Sequence, residues 1–128
     1  MIIGVGVDIV DLSRIRSMVV RLGAERVYRK LLTEAEAAYC QRMVDPIVSV
    51  TARVAAKEAG FKALAGTMEA RGIGWREIEI GHDDHRRPRL ILHGRAAARA
   101  RELGVTGFHV SMSHGDTSAV AVVVLEKA

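Results

Sequence analysis

Cysteine is almost missing from this sequence: Cys40 stands alone among 128 residues. One thiol makes no intramolecular disulfide, so the core must hold the fold, as expected of a protein in a reducing cytoplasm. Cys40 itself reads as a small apolar residue on a helix surface. Aromatic side chains are only 4% of the chain, too few for the stacking platforms that hold single-stranded nucleic acid. No apolar run approaches the roughly 18 residues needed to cross a bilayer. The opening MIIGVGVDIVDL lacks a basic segment and is interrupted by Asp8, so it reads as a strand and not as a secretion signal. No repeat, linker or low-complexity tract divides the chain, which reads as one domain over residues 1–128.

Apolar residues make up 49% and charged residues 27%, the balance of an ordinary folded protein. A small domain this apolar can bury further surface in an oligomer. The net charge of +4 favours acidic partners, whether nucleic acid, nucleotide or acidic protein. Basic residues never run longer than a pair such as Arg86-Arg87, so each must be read by its position.

Residues 2–10 alternate Ile3, Val5, Val7 and Ile9 on one face with Ile2, Gly4, Gly6, Asp8 and Val10 on the other, the period of a strand. Glycine at alternate positions leaves room for another backbone or a ligand. Helical spacing of Ile15, Met18, Val19 and Leu22 predicts a helix from Leu12 to Leu22, capped by Asp11 or Ser13 and ended by Gly23. Two short helical pieces follow in AERVYRKLLTEAEAAYCQRM, the second opened by a Thr33–Glu36 capping box, with a break at Asp45-Pro46. A long helix then runs from about Ile47 or Val50 to Leu64, closed by Gly66. GWREIEI and PRLILHG read as strands joined by the polar turn GHDDHRR, RAAARARELG as a helix, and FHVSMSHGDTSAVAVVVLE as two strands around a turn. This order predicts an α+β fold, a largely antiparallel sheet packed with helices including one long central helix.

The long helix poses the functional question, because it sets Arg53, Lys57, Glu58 and Lys62 among Ala, Val, Phe and Leu. At about 100° per residue, Glu58 falls on the stripe of Val54, Phe61 and Ala65. A carboxylate there needs a cation: Lys62 one turn later, a metal ion, or both. Arg53 and Lys57, on another side, can hold phosphate groups. The bland alternative is an i,i+4 Glu58–Lys62 pair at a wet helix edge. If Asp8 sits beside Glu58, the two carboxylates make the oxygen-rich site that Mg²⁺ accepts, and nearby Lys and Arg point to phosphoryl chemistry.

GVGVDIV at the N-terminus, RVAAKEAGFKA in the long helix and VSMSH near the C-terminus, in that order, resemble the holo-acyl-carrier-protein synthases of the 4′-phosphopantetheinyl transferase superfamily. The likeness extends to LLTEAE and GWREIEI and covers nearly the whole chain. It implies the fold of that superfamily, with Asp8 and Glu58 binding Mg²⁺ and the pyrophosphate of coenzyme A. It further implies that a serine of apo acyl carrier protein attacks the phosphate bearing the pantetheine arm and that adenosine 3′,5′-bisphosphate leaves. Glu58 is then the preferred base, Lys62 stabilises charge on the phosphates, and Asp8 completes the catalytic set. Arg53, Lys62, Gly66 and His114 resemble positions at the coenzyme A site, and Lys57 either touches ligand or braces the site. Arg14, Met18 and Arg21, on one face of the first helix, resemble the docking surface for the acidic carrier protein. The family also implies a homotrimer with active sites between subunits. The chain departs from the family at Val44 and Asp45, where basic residues are common, and at Arg87, where Gly is common before Pro88.

Other readings compete. GHDDH gathers His and Asp in five residues but reads as a hairpin turn and not a metal site. SMSHGD places Ser, His and Asp in succession, where neighbouring side chains point apart and do not make a triad. A nucleic-acid-binding module would use Arg14, Arg21 and the helix from Arg95 to Arg101, indifferent to Asp8 and Glu58. A metal-dependent nucleotide phosphohydrolase would keep the site and use water as nucleophile. A weakened relative would bind coenzyme A without efficient transfer.

Overall fold

A computed structural model describes residues 1–65 and 72–128. The chain opens with strand β1 (Ile2–Asp11) and helices α1 (Leu12–Leu22), α2 (Ala24–Leu31), α3 (Glu34–Gln41) and α4 (Pro46–Leu64). After a 3₁₀ turn at Trp75–Glu77 come β2 (Ile78–His82), β3 (Pro88–Leu92), α5 (Gly94–Leu103), β4 (Gly107–His114) and β5 (Ser118–Glu126). The strands form two antiparallel sheets: three strands in the order β1-β5-β4, and the hairpin β2-β3. The class is the expected α+β. The expected second strand begins later, at Ile78, because GWRE tightens into the 3₁₀ turn.

Local chemistry accounts for the helix ends. Gly23, at φ 87°, closes α1 and precedes α2, a backbone angle that disfavours a side chain. Thr33 and Glu36 form the expected reciprocal capping box on α3. Asp45 and Pro46 separate the helices as expected, but they also start the next one. The Asp45 carboxylate accepts from the Ile47 amide, and Pro46 occupies the first helical turn, where its missing N–H costs nothing. Gly66, expected to end α4, lies outside the described residues.

Helix α4 crosses the three-stranded sheet, and the glycines of β1 permit the approach. A Cβ on Gly6 would run into the Ala59 carbonyl, and one on Gly4 into that of Ala63. The glycine face therefore receives a helix backbone. With α1, α3 and β2 also packed against it, α4 is buried on nearly every side from Val50 to Lys57. This replaces the expected single apolar stripe, since a helix covered all round has no solvent face to pattern. Val54 and Leu64 are fully buried here, each such side chain contributing about 1.5–3 kcal/mol. Cys40, expected on a helix surface, is wholly interior and donates to Ser49 Oγ.

Among the described residues nothing packs over the other face of the three-stranded sheet. Val5, Val7 and Ile9 of β1 are more than half exposed, and the register sets them opposite Val124, Val122 and Val120 of β5.

Candidate active site

The strand alternation that turns Gly4 and Gly6 toward α4 also turns Asp8 toward it, one pleat beyond the close approach. Asp8 and Glu58 thereby come within hydrogen-bonding reach of each other. Lys62 Nζ donates to Asp8 Oδ1 and to the Val7 carbonyl, both at 3.0 Å. Arg14 of α1 donates to Glu58 Oε1 at 3.0 Å. The expected helix pair is thus rearranged: Lys62 leaves Glu58 for the strand carboxylate, and Arg14 supplies the cation that Glu58 requires.

The two acids are driven apart. Burial raises the Glu58 carboxyl above its ordinary range, and the hydrogen bond with Asp8 raises it further against the opposing pull of Arg14. Burial pushes Asp8 up as well, but its bonds with Glu58 and Lys62 more than offset this and leave it below its ordinary value. Glu58 is thus the weaker acid of the two, and its carboxylate the stronger base. Asp8 Oδ2 is buried and has no hydrogen-bond partner among the described residues. An orphaned carboxylate oxygen beside a second carboxylate suits a hard cation that takes oxygen ligands and completes its shell with water and phosphate. Among the described residues no third His, Cys, Asp or Glu joins the pair.

Around α4 from this pair lies a cavity of about 430 Å³, bordered by Arg53, His114, Ser49, Ser113 and His82 among others. Arg53 is buried against the face of Tyr39, its guanidinium carbon 4.4 Å from the ring centroid, and donates to the Ser49 hydroxyl and carbonyl. Two of its nitrogens, Nε and Nη2, are buried and have no hydrogen-bond partner among the described residues. His114 and Asp8 share a sheet face, since His114 pairs with Ala119 and Ala119 with Val10. Sequence reasoning missed His82, which stacks on Tyr39 at 4.5 Å. Its only sequence signal was its place in GHDDH.

Lys57 takes no part in either place. Its ammonium is wholly buried, donating to Glu36 Oε1 at 2.7 Å and to the Trp75 and Ile78 carbonyls. Glu36 also accepts from the Ile80 and Thr33 amides. The pair ties α4 to α3 and β2, so of the two roles left open for Lys57 the structure gives it the bracing one, and its ammonium is not placed to hold phosphate. Of the docking face, Arg14 and Arg21 are exposed, whereas Met18 packs partly against the core. Gly66 lies outside the described residues.

The competing motifs resolve into structure. Asp83 of GHDDH accepts from the His85 and Arg87 amides and from the Arg87 side chain, closing the β2-β3 hairpin. Ser113 and His114 end β4 ahead of the turn to β5. In the arginine-rich α5, Arg99 is buried and donates to the Leu64 carbonyl at the end of α4.

A family model described as the 4′-phosphopantetheinyl transferase superfamily matches residues 4–123. The chain is 46% identical over 126 residues to the holo-[acyl-carrier-protein] synthase of Solidesulfovibrio magneticus, covering 98% of this chain and 99% of that one. Its fold is similar to the crystal structure of the Neisseria meningitidis holo-[acyl-carrier-protein] synthase, with a TM-score of 0.86, 31% identity and coverage of 99% and 100%. It is also similar to the Bacillus anthracis holo-(acyl-carrier-protein) synthase in complex with CoA (3′,5′-ADP), with a TM-score of 0.78, 32% identity and coverage of 100% and 99%.

Proposed function

The chain belongs to the 4′-phosphopantetheinyl transferase superfamily, and from that premise we propose that it is a holo-[acyl-carrier-protein] synthase. It transfers 4′-phosphopantetheine from coenzyme A to a serine of apo acyl carrier protein and releases adenosine 3′,5′-bisphosphate. The observation that carries this reading is the Asp8–Glu58 pair, flanked by Lys62 and Arg14 and holding one unpartnered carboxylate oxygen.

Asp8 and Glu58 are the residues that would hold Mg²⁺, which when bound supplies positive charge against the pyrophosphate oxygens. Glu58, the weaker acid of the two, accepts the serine proton as the hydroxyl oxygen bonds to the phosphorus bearing the pantetheine arm. The bond from that phosphorus to the bridging oxygen breaks, and the electron pair leaves with the adenosine bisphosphate. The Lys62 ammonium, already beside Asp8, neutralises charge on the transferring and departing phosphates. Arg53 and His114 bind the nucleotide end of coenzyme A in the cavity they share. Gly66 is proposed to let backbone approach the cofactor closely.

Arg14 and Arg21, with Met18 between them on α1, meet the acidic carrier protein. The uncovered valine and isoleucine face of β1 and β5 supports assembly into a homotrimer with its active sites between subunits. No helix among the described residues is long and apolar enough to cross a membrane, and the lone thiol fits the cytoplasm.

The test is the intact mass of several apo acyl carrier proteins after incubation with this protein, coenzyme A and Mg²⁺. One added phosphopantetheine arm, lost with Glu58→Gln and without metal, is the expected result. No arm on any carrier, from folded protein, refutes the proposal. Phosphate release without a carrier would point instead to a phosphohydrolase.

A further inference from the structure

Away from the candidate active site, a separate cavity of about 320 Å³ opens between β3, α5 and the start of β4. Its floor is apolar, made by Leu90 and Leu92 of the hairpin, Ala97 and Ala100 of α5, and Val105 on the connection to β4. Phe108 completes it. In the antiparallel register Phe108 stands opposite Leu125, and directly opposite residues share a sheet face, so its ring lies on the side that packs the core. Leu125 is 0% exposed there, yet Phe108 is 39% exposed. Among the described residues no element covers that ring, and the cavity is the space it borders. The charge at this place is of one sign: Arg89 and Arg101 line the cavity, both exposed, and no carboxylate does among the described residues. Arg87 and Arg99, two residues before each of them, are committed to Asp83 and to Glu102 with the Leu64 carbonyl, whereas Arg89 and Arg101 have no hydrogen bond or ion pair among the described residues.

An apolar floor bordered by two uncommitted guanidinium groups suits a ligand with an apolar chain and an anionic head. A carboxylate head matches the planar fork of donors that Arg presents, and the chain takes water off the surfaces of Phe108, Leu92 and Ala97. At about 30 Å³ for each non-hydrogen atom, the share of a water molecule in the liquid, the cavity holds about ten, the size of an unbranched carboxylate of about eight carbons. We propose that this cavity binds a medium-chain fatty carboxylate, its chain against Phe108 and α5 and its head on Arg89 and Arg101. The site shares no lining residue with the cavity at Arg53 and includes neither Asp8 nor Glu58. It therefore stands independently of the coenzyme A reading.

Calorimetric titration of the protein with octanoate, hexanoate and octan-1-ol tests the assignment, in wild type, Arg101→Gln and Ala97→Leu, with circular dichroism to show that each variant is folded. Octanoate should bind saturably to the wild type. Octan-1-ol keeps the chain without the charge and should bind about tenfold more weakly, the scale of one hydrogen bond to a charged group. Hexanoate should also lose about tenfold, the worth of two buried methylenes. Arg101→Gln, an exposed change, should cost octanoate about tenfold and leave the alcohol unchanged. Ala97→Leu fills the cavity from α5 and should abolish binding of all three. An excess of adenosine 3′,5′-bisphosphate should leave octanoate affinity unchanged. No saturable octanoate binding, an alcohol that binds as tightly, an affinity that either variant leaves intact, or displacement by the nucleotide would overturn the proposal.

Discussion

Replacing Lys57 by Met should cost far more stability than a lysine substitution ordinarily does. Its ammonium has no exposure and makes three hydrogen bonds, to Glu36 and to the carbonyls of Trp75 and Ile78. Met fills similar space but answers none of these groups. The Glu36 carboxylate would keep the Ile80 and Thr33 amides as donors and lose its counter-ion in a fully buried site. Breaking a buried ion pair from one side costs about 3–5 kcal/mol. A domain of this size is worth only about 5–15 kcal/mol in total. Urea unfolding followed by circular dichroism should therefore show a midpoint much lower than the wild type, with an unchanged slope. Glu36→Met combined with Lys57→Met should be less damaging than the sum of the two single changes, because it removes the stranded charge along with its partner. A loss under about 1 kcal/mol for Lys57→Met, or costs that simply add, would refute the assignment of this pair as the brace between α4, α3 and β2.

Gly6→Ala should destabilise the protein by about 1–3 kcal/mol or more and lower transfer, because the new methyl meets the Ala59 carbonyl and pushes α4, with Glu58, away from Asp8; an unchanged melting temperature would refute this. In metal-free protein the Glu58 carboxyl carbon should titrate above 4.5 and Asp8 below 3.8, and Arg14→Ala should move Glu58 higher still by removing the guanidinium that opposes its shift. The signs follow: the Asp8 contribution to stability is present above pH 3.8 and lost as the pH falls through its folded value, while that of Glu58 is present below pH 4.5 and lost as the pH rises through its folded value. A Glu58 midpoint below 4.5 by carbon-13 NMR would contradict the carboxylate pairing. Val7→Glu places a charge on the uncovered sheet face; sedimentation should show the wild type as a trimer and the variant, still folded, as a monomer, and an unchanged assembly would refute that face as the interface.

The sites divide along a physical line. Where a residue's role depends on its own neighbours in sequence, the sequence was enough: the period-two run of β1, the Thr33–Glu36 capping box and the glycine stop at Gly23 depend on contacts within a few residues. The same holds for the order of the helices and strands, and for the placement of Asp8 on the glycine face. The motifs around Asp8, Glu58 and His114 also carried the family resemblance. The exchange of ion-pair partners was not legible, because Lys62 reaches across 54 residues to Asp8 and Arg14 across 44 to Glu58. Nothing in local spacing distinguishes those pairings from a simple i,i+4 bridge. His82 was hidden for the same reason, since its stack with Tyr39 joins a hairpin to a distant helix. Lys57 and Arg53, one turn apart and equally basic in the sequence, received opposite roles. Burial turned one toward the carboxylate of Glu36 and left the other with donors free at a cavity wall. Sequence determined which segments fold and which chemistry they carry, because propensity, capping and periodicity are short-range. Tertiary structure decided which charge answers which, because desolvation and pairing are properties of the space that packed elements enclose.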